Sequence, residues 1–443
     1  MSSTALHRRI HAGDVGWSAV ALLFKPLQAG LVTPSLLFVA TLTVMLFRPP
    51  PLEFFCLDRL ALLLLALFVL LRAALLRQSL RPQSPLIWPM AALLVVVCAD
   101  LLFIPFDVTI WSVAIAKYVT PFVMFYLAGL VFDSEASVHR LETFSLIVLG
   151  YLSFTAIAFL AGWHELAFPK FILDDSLGTH AERARGPFLQ AVANGTSLNL
   201  LGLIAIDAYR RGRLRGITAA ALLGALPIAI LATKTRAVWL SFASSLLLLT
   251  FTTPSSRVRR LCIGMITCGV LAVVALVGGV REIGDGVHDR FMDRGTAEFR
   301  LAAYEAGWKM FVKHPLNGWG ARGARLEMEY QILGFRPNMT VIHNTYLEIL
   351  LEHGILGFAL YAWIMVGLFK LGRARDPGWQ CQHSPGDFLQ IPCRPLWPLM
   401  LGVFFVNATF VVMNYQFVNG LLFTWAGILA RRGRTGAEAP CSQ

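Results

Sequence analysis

The chain has 443 residues, of which 56% are hydrophobic and 14% charged, with a formal net charge of +12. A soluble domain carries roughly a quarter charged residues, so this chain lacks the charge to cover a water-facing surface. Repeated apolar runs of about 20 residues, the length a helix needs to cross about 30 Å of hydrocarbon, point instead to an all-α polytopic membrane protein. No basic patch is interleaved with aromatics, so the positive charge does not indicate a nucleic-acid partner.

The N-terminus carries His7, Arg8 and Arg9 ahead of a short apolar stretch interrupted by Lys25. It lacks a cleavage site and does not read as a signal peptide. Residues 14–29 are expected to form an interfacial helix or half of an extra span. Candidate spans then cover 31–47, 59–76, 86–104, 109–132, 142–163, 189–208, 215–232, 236–253, 260–280, 346–371, 396–413 and 416–430, about twelve in all.

Arginines punctuate these runs in five clusters: Arg77 and Arg81; Arg210, Arg211, Arg213 and Arg215; Arg257, Arg259 and Arg260; Arg373 and Arg375; Arg431, Arg432 and Arg434. With both termini in the cytoplasm every cluster falls inside, as the positive-inside rule demands. The same alternation sends 48–58, 164–188, 233–236 and the long 281–345 outside. The expected organisation is a bundle over 1–280, a large helical loop over 281–345, and C-terminal helices with a cytoplasmic tail over 346–443. Of the seven cysteines, Cys381 and Cys393 fall on the cytoplasmic side, where disulfides are rare. No C-x-x-C pair and no metal-ligand spacing occurs, so no metal or cofactor is expected.

Chemistry-bearing residues gather where the outer segments meet the spans. Lys234, Arg236, Arg185 and Arg300 are cations on the face that the charge bias normally strips of them. Interfacial anchoring by snorkelling would explain one or two. Several converging guanidiniums suit an anion, because the planar fork pairs bidentately with phosphate oxygens. In the long loop, Arg300, Tyr304 and Trp308 recur at steps of four on one helix face. HPLNGWGARG then breaks the helix, with Gly318, Gly320 and Gly323 expected in a tight turn. His343 precedes the next span, where Asn344 or Thr345 can cap the helix. The positive end of that helix disfavours imidazolium, and a neutral imidazole is what a general base requires. Glu348 and Glu352 follow one and two turns on. They are either site residues or buried ion pairs, since ionisable groups inside a span are costly.

These residues resemble the O-antigen ligase and polymerase superfamily of bacterial membrane glycosyltransferases over roughly 180–370. The resemblance rests on R-A-R-G-P-F with a following A-N-G, on T-K-T-R-A-V-W-L, on EFRLAAYEAGWKMFVKHPLNGWG and on HNTYLEILLEHGILG. Ala193 before Asn194 departs from the Pro-Asn common in the family. The resemblance implies a GT-C-like bundle in the bacterial inner membrane. It would act at the periplasmic face, without metal or nucleotide sugar, and invert the anomeric centre. The donor would be a glycan on undecaprenyl pyrophosphate, and the acceptor lipid A–core or a growing polysaccharide. Carried over by motif, Arg185, Arg236, Arg300 and Lys234 bind the pyrophosphate. His343 activates the acceptor hydroxyl. Trp308, Tyr304, Asn344 and Glu348 are candidate sugar or acceptor contacts. The competing reading is a twelve-span transporter or flippase for a lipid-linked anionic glycan, which would place its polar groups at mid-membrane on repeated, broken helices.

Overall fold

The computed structural model describes residues 33–48, 57–81, 84–279, 295–332, 342–372 and 394–435. Residues 14–29 lie outside them, as do 280–294 and 333–341 in and beside the long loop. Helices and short connecting turns make up the described residues, with no strand among them. In chain order the α-helices are α1 (Pro34–Leu46), α2 (Leu57–Leu75), α3 (Ile87–Leu102), α4 (Val108–Val131), α5 (Glu135–Leu160), α6 (Ala191–Arg210) and α7 (Gly216–Ala232). There follow α8 (Arg236–Thr252), α9 (Ser256–Gly279), α10 (Gly295–Lys313), α11 (Gly320–Ile332), α12 (Thr345–Leu371), α13 (Trp397–Phe410) and α14 (Gln416–Thr435).

All the apolar segments expected as spans are helical, and α10 and α11 lie within the long loop. By length and composition α4, α5, α6, α9 and α12 suffice to cross a membrane, whereas α1, α3, α7, α8 and α13 are apolar but shorter. Their boundaries follow local chemistry. Pro34 opens α1, where its missing N–H costs nothing. Asp107 caps α4 by accepting from the amides of Thr109 and Ile110 at 2.8 and 3.1 Å, and Ser134 and Ser137 close a reciprocal capping box on α5.

α6 is the central staff, buried on all sides over nearly its whole length, with α5, α7, α8, α13 and α14 packed around it. α14 lies against α4, and α12 runs beside α3. The outward faces are the reverse of a soluble protein's. Leu60, Leu63, Leu64 and Leu67 on α2 and Val270, Leu271 and Val274 on α9 are exposed, an apolar belt suited to hydrocarbon. At one end of the bundle arginines meet buried acids. Arg210 and Arg211 hold Asp207 at 2.8 and 2.9 Å, Arg211 also pairs with Glu142, and Arg213 reaches Glu135. The opposite end carries the loop helices and the segment 161–190.

α12 is broken at Gly354, whose φ of 62° and ψ of −163° leave the helical region. The break strands the amides of Ile355 and Leu356. The loop takes them up: Ile355 N–H donates to Pro315 O at 2.8 Å and Leu356 N–H to Leu316 O at 3.4 Å. In return Leu351 O accepts from the amide of Trp319 at 2.8 Å. HPLNGW is therefore docked main chain to main chain on the broken helix, giving partners to both stranded amides and to the Leu351 carbonyl. Gly318 and Gly320 have positive φ, as the expected turn requires, whereas Gly323 lies inside α11.

Candidate functional site

The start of α12 is held from several sides. Asn344 is its cap, accepting from the amides of Tyr346 and Leu347 at 2.9 and 3.1 Å. That frees the neighbouring hydroxyl, so Thr345 donates to Val411 O at 2.8 Å and accepts from the amide of Met413 at 2.9 Å. Tyr346 donates to Phe405 O, and from α10 Tyr304 donates to Thr409 O, each at 3.2 Å. The end of α13 and the link to α14 thus form a wall, with the His343 turn against one part of it and α10 against another.

Arg300 stands on that wall, its guanidinium 5.4 Å from the Phe410 ring. Its Nε is buried without a hydrogen-bond partner, and among the described residues no carboxylate pairs with it. Burial pulls its pKa down; Tyr304 opposes this and the nearby Arg236 adds to it. His343 is likewise held below the ordinary histidine value, first by burial and then by the neighbouring Arg300 and His180. Arg300, neighbour to both Arg236 and His343, therefore sets up a positive field that favours the neutral imidazole of His343.

Backbone strain gathers at the same end. Among the described residues the non-glycine positions with positive φ are Arg77, His180, Leu189, Lys234 and His343. The last four sit in turns at the end of the bundle that carries the loop helices. Each costs on the order of 1–3 kcal/mol and persists only where surrounding structure imposes it, a pattern typical of functional sites. Lys234 occupies the tight turn from α7 to α8, two residues before Arg236.

Arg185 is placed differently from the expectation. Its guanidinium turns into its own loop and donates to the carbonyls of Leu177, Ile172 and Asp174 at 2.5, 2.9 and 3.0 Å. It is 1% exposed, and its ionic neighbours are Asp175, Glu182 and Asp174 rather than Arg300 or His343. The loop it knits is fixed to the bundle by Ala184 N–H on Ala232 O and by the Asn194 amide on Ala184 O. Trp308 shares a face with Arg300 and Tyr304 but is 60% exposed and stacks on Phe311. Glu348 is engaged with Lys117 of α4, which also reaches Glu352 at 3.3 Å.

Lys117 and His180 are the residues that the sequence reading passed over. A lysine within an apolar run is a signal in itself, and His180 lies three residues from Arg183. No group of three or more His, Cys, Asp or Glu side chains among the described residues is arranged to hold a metal.

Residues 219–362 match the family model described as O-Antigen ligase. The matched stretch runs from α7 into α12 and contains Lys234, Arg236, Arg300, Tyr304, Trp308, His343, Asn344 and Glu348. Arg185 and Lys117 precede it. No curated protein matches the chain. Over that stretch the chain is similar to the O-antigen ligase family, and five of its described helices are long and apolar enough to cross a membrane.

Proposed function

We propose, from the O-antigen ligase match over residues 219–362, that the chain is a glycosyltransferase moving a glycan from undecaprenyl pyrophosphate to an acceptor hydroxyl at the periplasmic face. The observation that carries this reading is the half-buried Arg300, whose Nε lacks a hydrogen-bond partner and which no carboxylate among the described residues pairs with, beside Arg236 and His343. Neighbouring guanidiniums repel one another, and a pyrophosphate bound beside Arg300 would reverse the sign of that energy. Arginine stays charged under such partial desolvation, where lysine would shift.

The donor already has a good leaving group. Catalysis then reduces to holding the reactants in line and stabilising the departing charge. Neutral His343 accepts the proton of the acceptor hydroxyl as its oxygen attacks the anomeric carbon from the face opposite the pyrophosphate. The carbon–oxygen bond to phosphate breaks, the electron pair leaves with the pyrophosphate, and Arg300 and Arg236 neutralise it. One displacement of this kind inverts the centre and needs no metal. Lys234 adds positive potential at the rim, and exposed Trp308 offers a ring for a sugar to stack on. Arg185 serves by shaping the loop that carries His180.

The same reading assigns twelve crossings in a GT-C-like arrangement within the inner membrane, termini in the cytoplasm, and divisions at 1–280, 281–345 and 346–443. The arginine-rich end of the bundle faces the cytoplasm, as the positive-inside rule favours. The deciding experiment supplies purified protein with a lipid-pyrophosphate glycan and either lipid A–core or more donor. A glycan–core product identifies a ligase, and chain growth identifies a polymerase. Movement of intact donor across a vesicle bilayer with no new bond would overturn the reading in favour of a transporter.

A further inference from the structure

A chain of ionisable groups runs beneath the His343 turn, and two of its five members, Asp100 and Lys117, lie outside the family-matched stretch. Lys117, with a side chain 3% exposed, donates to Glu348 and sits 3.3 Å from Glu352. Glu352 is 3.7 Å from His353 Nε2, and His353 Nδ1 lies 2.5 Å from Asp100 Oδ2. The groups come from three helices: Asp100 from α3, Lys117 from α4, and the rest from α12.

Lys117 reaches its partners because α4 is irregular there. Residues Ile115–Val119 form a π-turn, a local widening that re-aims side chains and recurs at functional sites. The turn is held by Asn419 of α14, whose side-chain amide donates to Ala116 O at 3.0 Å and to Met413 O at 2.9 Å. Met413 is the residue whose amide bonds Thr345, so the π-turn and the His343 turn share one brace.

The break at Gly354 gives this clamp its purpose. Below it, α12 packs against α3 and α13; above it, a half-helix of residues 345–353 carries His343 at its tip. That tip lies about 15 Å from the break at 1.5 Å per residue. A tilt of about 5° at the break would therefore displace His343 by about 1 Å, enough to cost about 100-fold in rate. Glu348 and Glu352 are one turn apart on one face of the half-helix, and a single ammonium holding both fixes its rotation and its tilt.

We propose that Lys117 is a positioning residue, clamping the half-helix through Glu348 and Glu352 so that His343 is aligned with Arg300. This deepens the glycosyltransferase reading and rests on it for the catalytic readout alone. Its physical content is independent: residues 342–353 are held by a contact from α4.

Removing Lys117 alone strands two buried carboxylates and threatens folding. The test therefore pairs Lys117→Arg, which keeps the cation, with a neutral triple variant, Lys117→Met with Glu348→Gln and Glu352→Gln. In detergent, the triple variant is expected to remain folded, to exchange the amides of 342–353 faster than wild type, and to lower kcat about 100-fold at unchanged donor KM. Lys117→Arg is expected to recover most of the rate and the slow exchange. Wild-type exchange over 342–353 in the triple variant overturns the clamp. So does a faster exchange spread evenly over all helices, which would mark a purely structural role. Should wild type transfer no glycan, the exchange comparison still decides the clamp while the enzymatic reading fails by itself.

Discussion

The carbonyl of Leu316 occupies the space that a side chain on Gly354 would need. Two of the stretches that carry the family resemblance, one ending in HPLNGWG and the other in LLEHGILG, are therefore parts of one main-chain joint. A Gly354→Ala variant must both push this backbone apart and adopt a left-handed φ. The expected cost is about 3 kcal/mol or more. It should appear as a lower thermal midpoint in detergent and as earlier proteolysis within 314–319. A wild-type midpoint would show that the joint yields without penalty.

His343 is expected to act as the neutral base. His343→Ala should insert in the membrane normally and lose about 10²–10⁴-fold in transfer. The pH dependence follows from the sign of its shift. Burial and the neighbouring Arg300 and His180 lower its pKa, so the active neutral form persists below the ordinary histidine range. Rate should be level near neutrality and fall as pH drops through the lowered value. A decline beginning above the ordinary histidine value would assign the titration to another group.

Arg300 tests the phosphate fork. Arg300→Ala should raise the donor KM and lower kcat, together about 100-fold or more in kcat/KM, and Arg300→Lys should restore only part. The acceptor KM should stay near wild type. Full function in Arg300→Lys would reduce the residue to a point charge and remove the argument from bidentate geometry.

Arg185 separates architecture from binding. Its two terminal nitrogens make three bonds to loop carbonyls, so Arg185→Ala should destabilise the 168–190 segment by about 3 kcal/mol. Lysine cannot replace three divergent bonds. The measurement is protease sensitivity of that segment alongside donor KM. An intact loop with a raised donor KM would return Arg185 to the pyrophosphate.

Much of the helical frame was legible because apolar length is written in one dimension. Each of the twelve segments singled out as spans is mostly helical over its described residues, and the spacing of four puts Arg300 with Tyr304 on one face. Asn344 and Thr345 were both eligible as the cap; the structure gives the cap to Asn344 because Thr345 is drawn to Val411 and Met413. What the sequence could not show depends on contacts between distant residues. Lys117 and Glu348 are 231 positions apart, and nothing near either names the other. Arg185 looked like its fellow cations because spacing does not reveal that a guanidinium folds back onto its own loop. Trp308 obeys the helical period yet ends exposed, since the wall that receives Arg300 and Tyr304 comes from α13 and stops short of it.

The central claim is that glycan transfer occurs at the Arg300–Arg236–His343 group. It is tested most directly by the release of lipid pyrophosphate in a single turnover. Purified wild type, His343→Ala and Arg300→Ala would each be mixed with labelled lipid-pyrophosphate glycan and acceptor, in the presence of EDTA. The expected result is stoichiometric release of lipid pyrophosphate, with the glycan joined to acceptor in inverted configuration, by wild type and by neither variant. Release that required added Mg²⁺, or that continued at the wild-type rate in both variants, would contradict it.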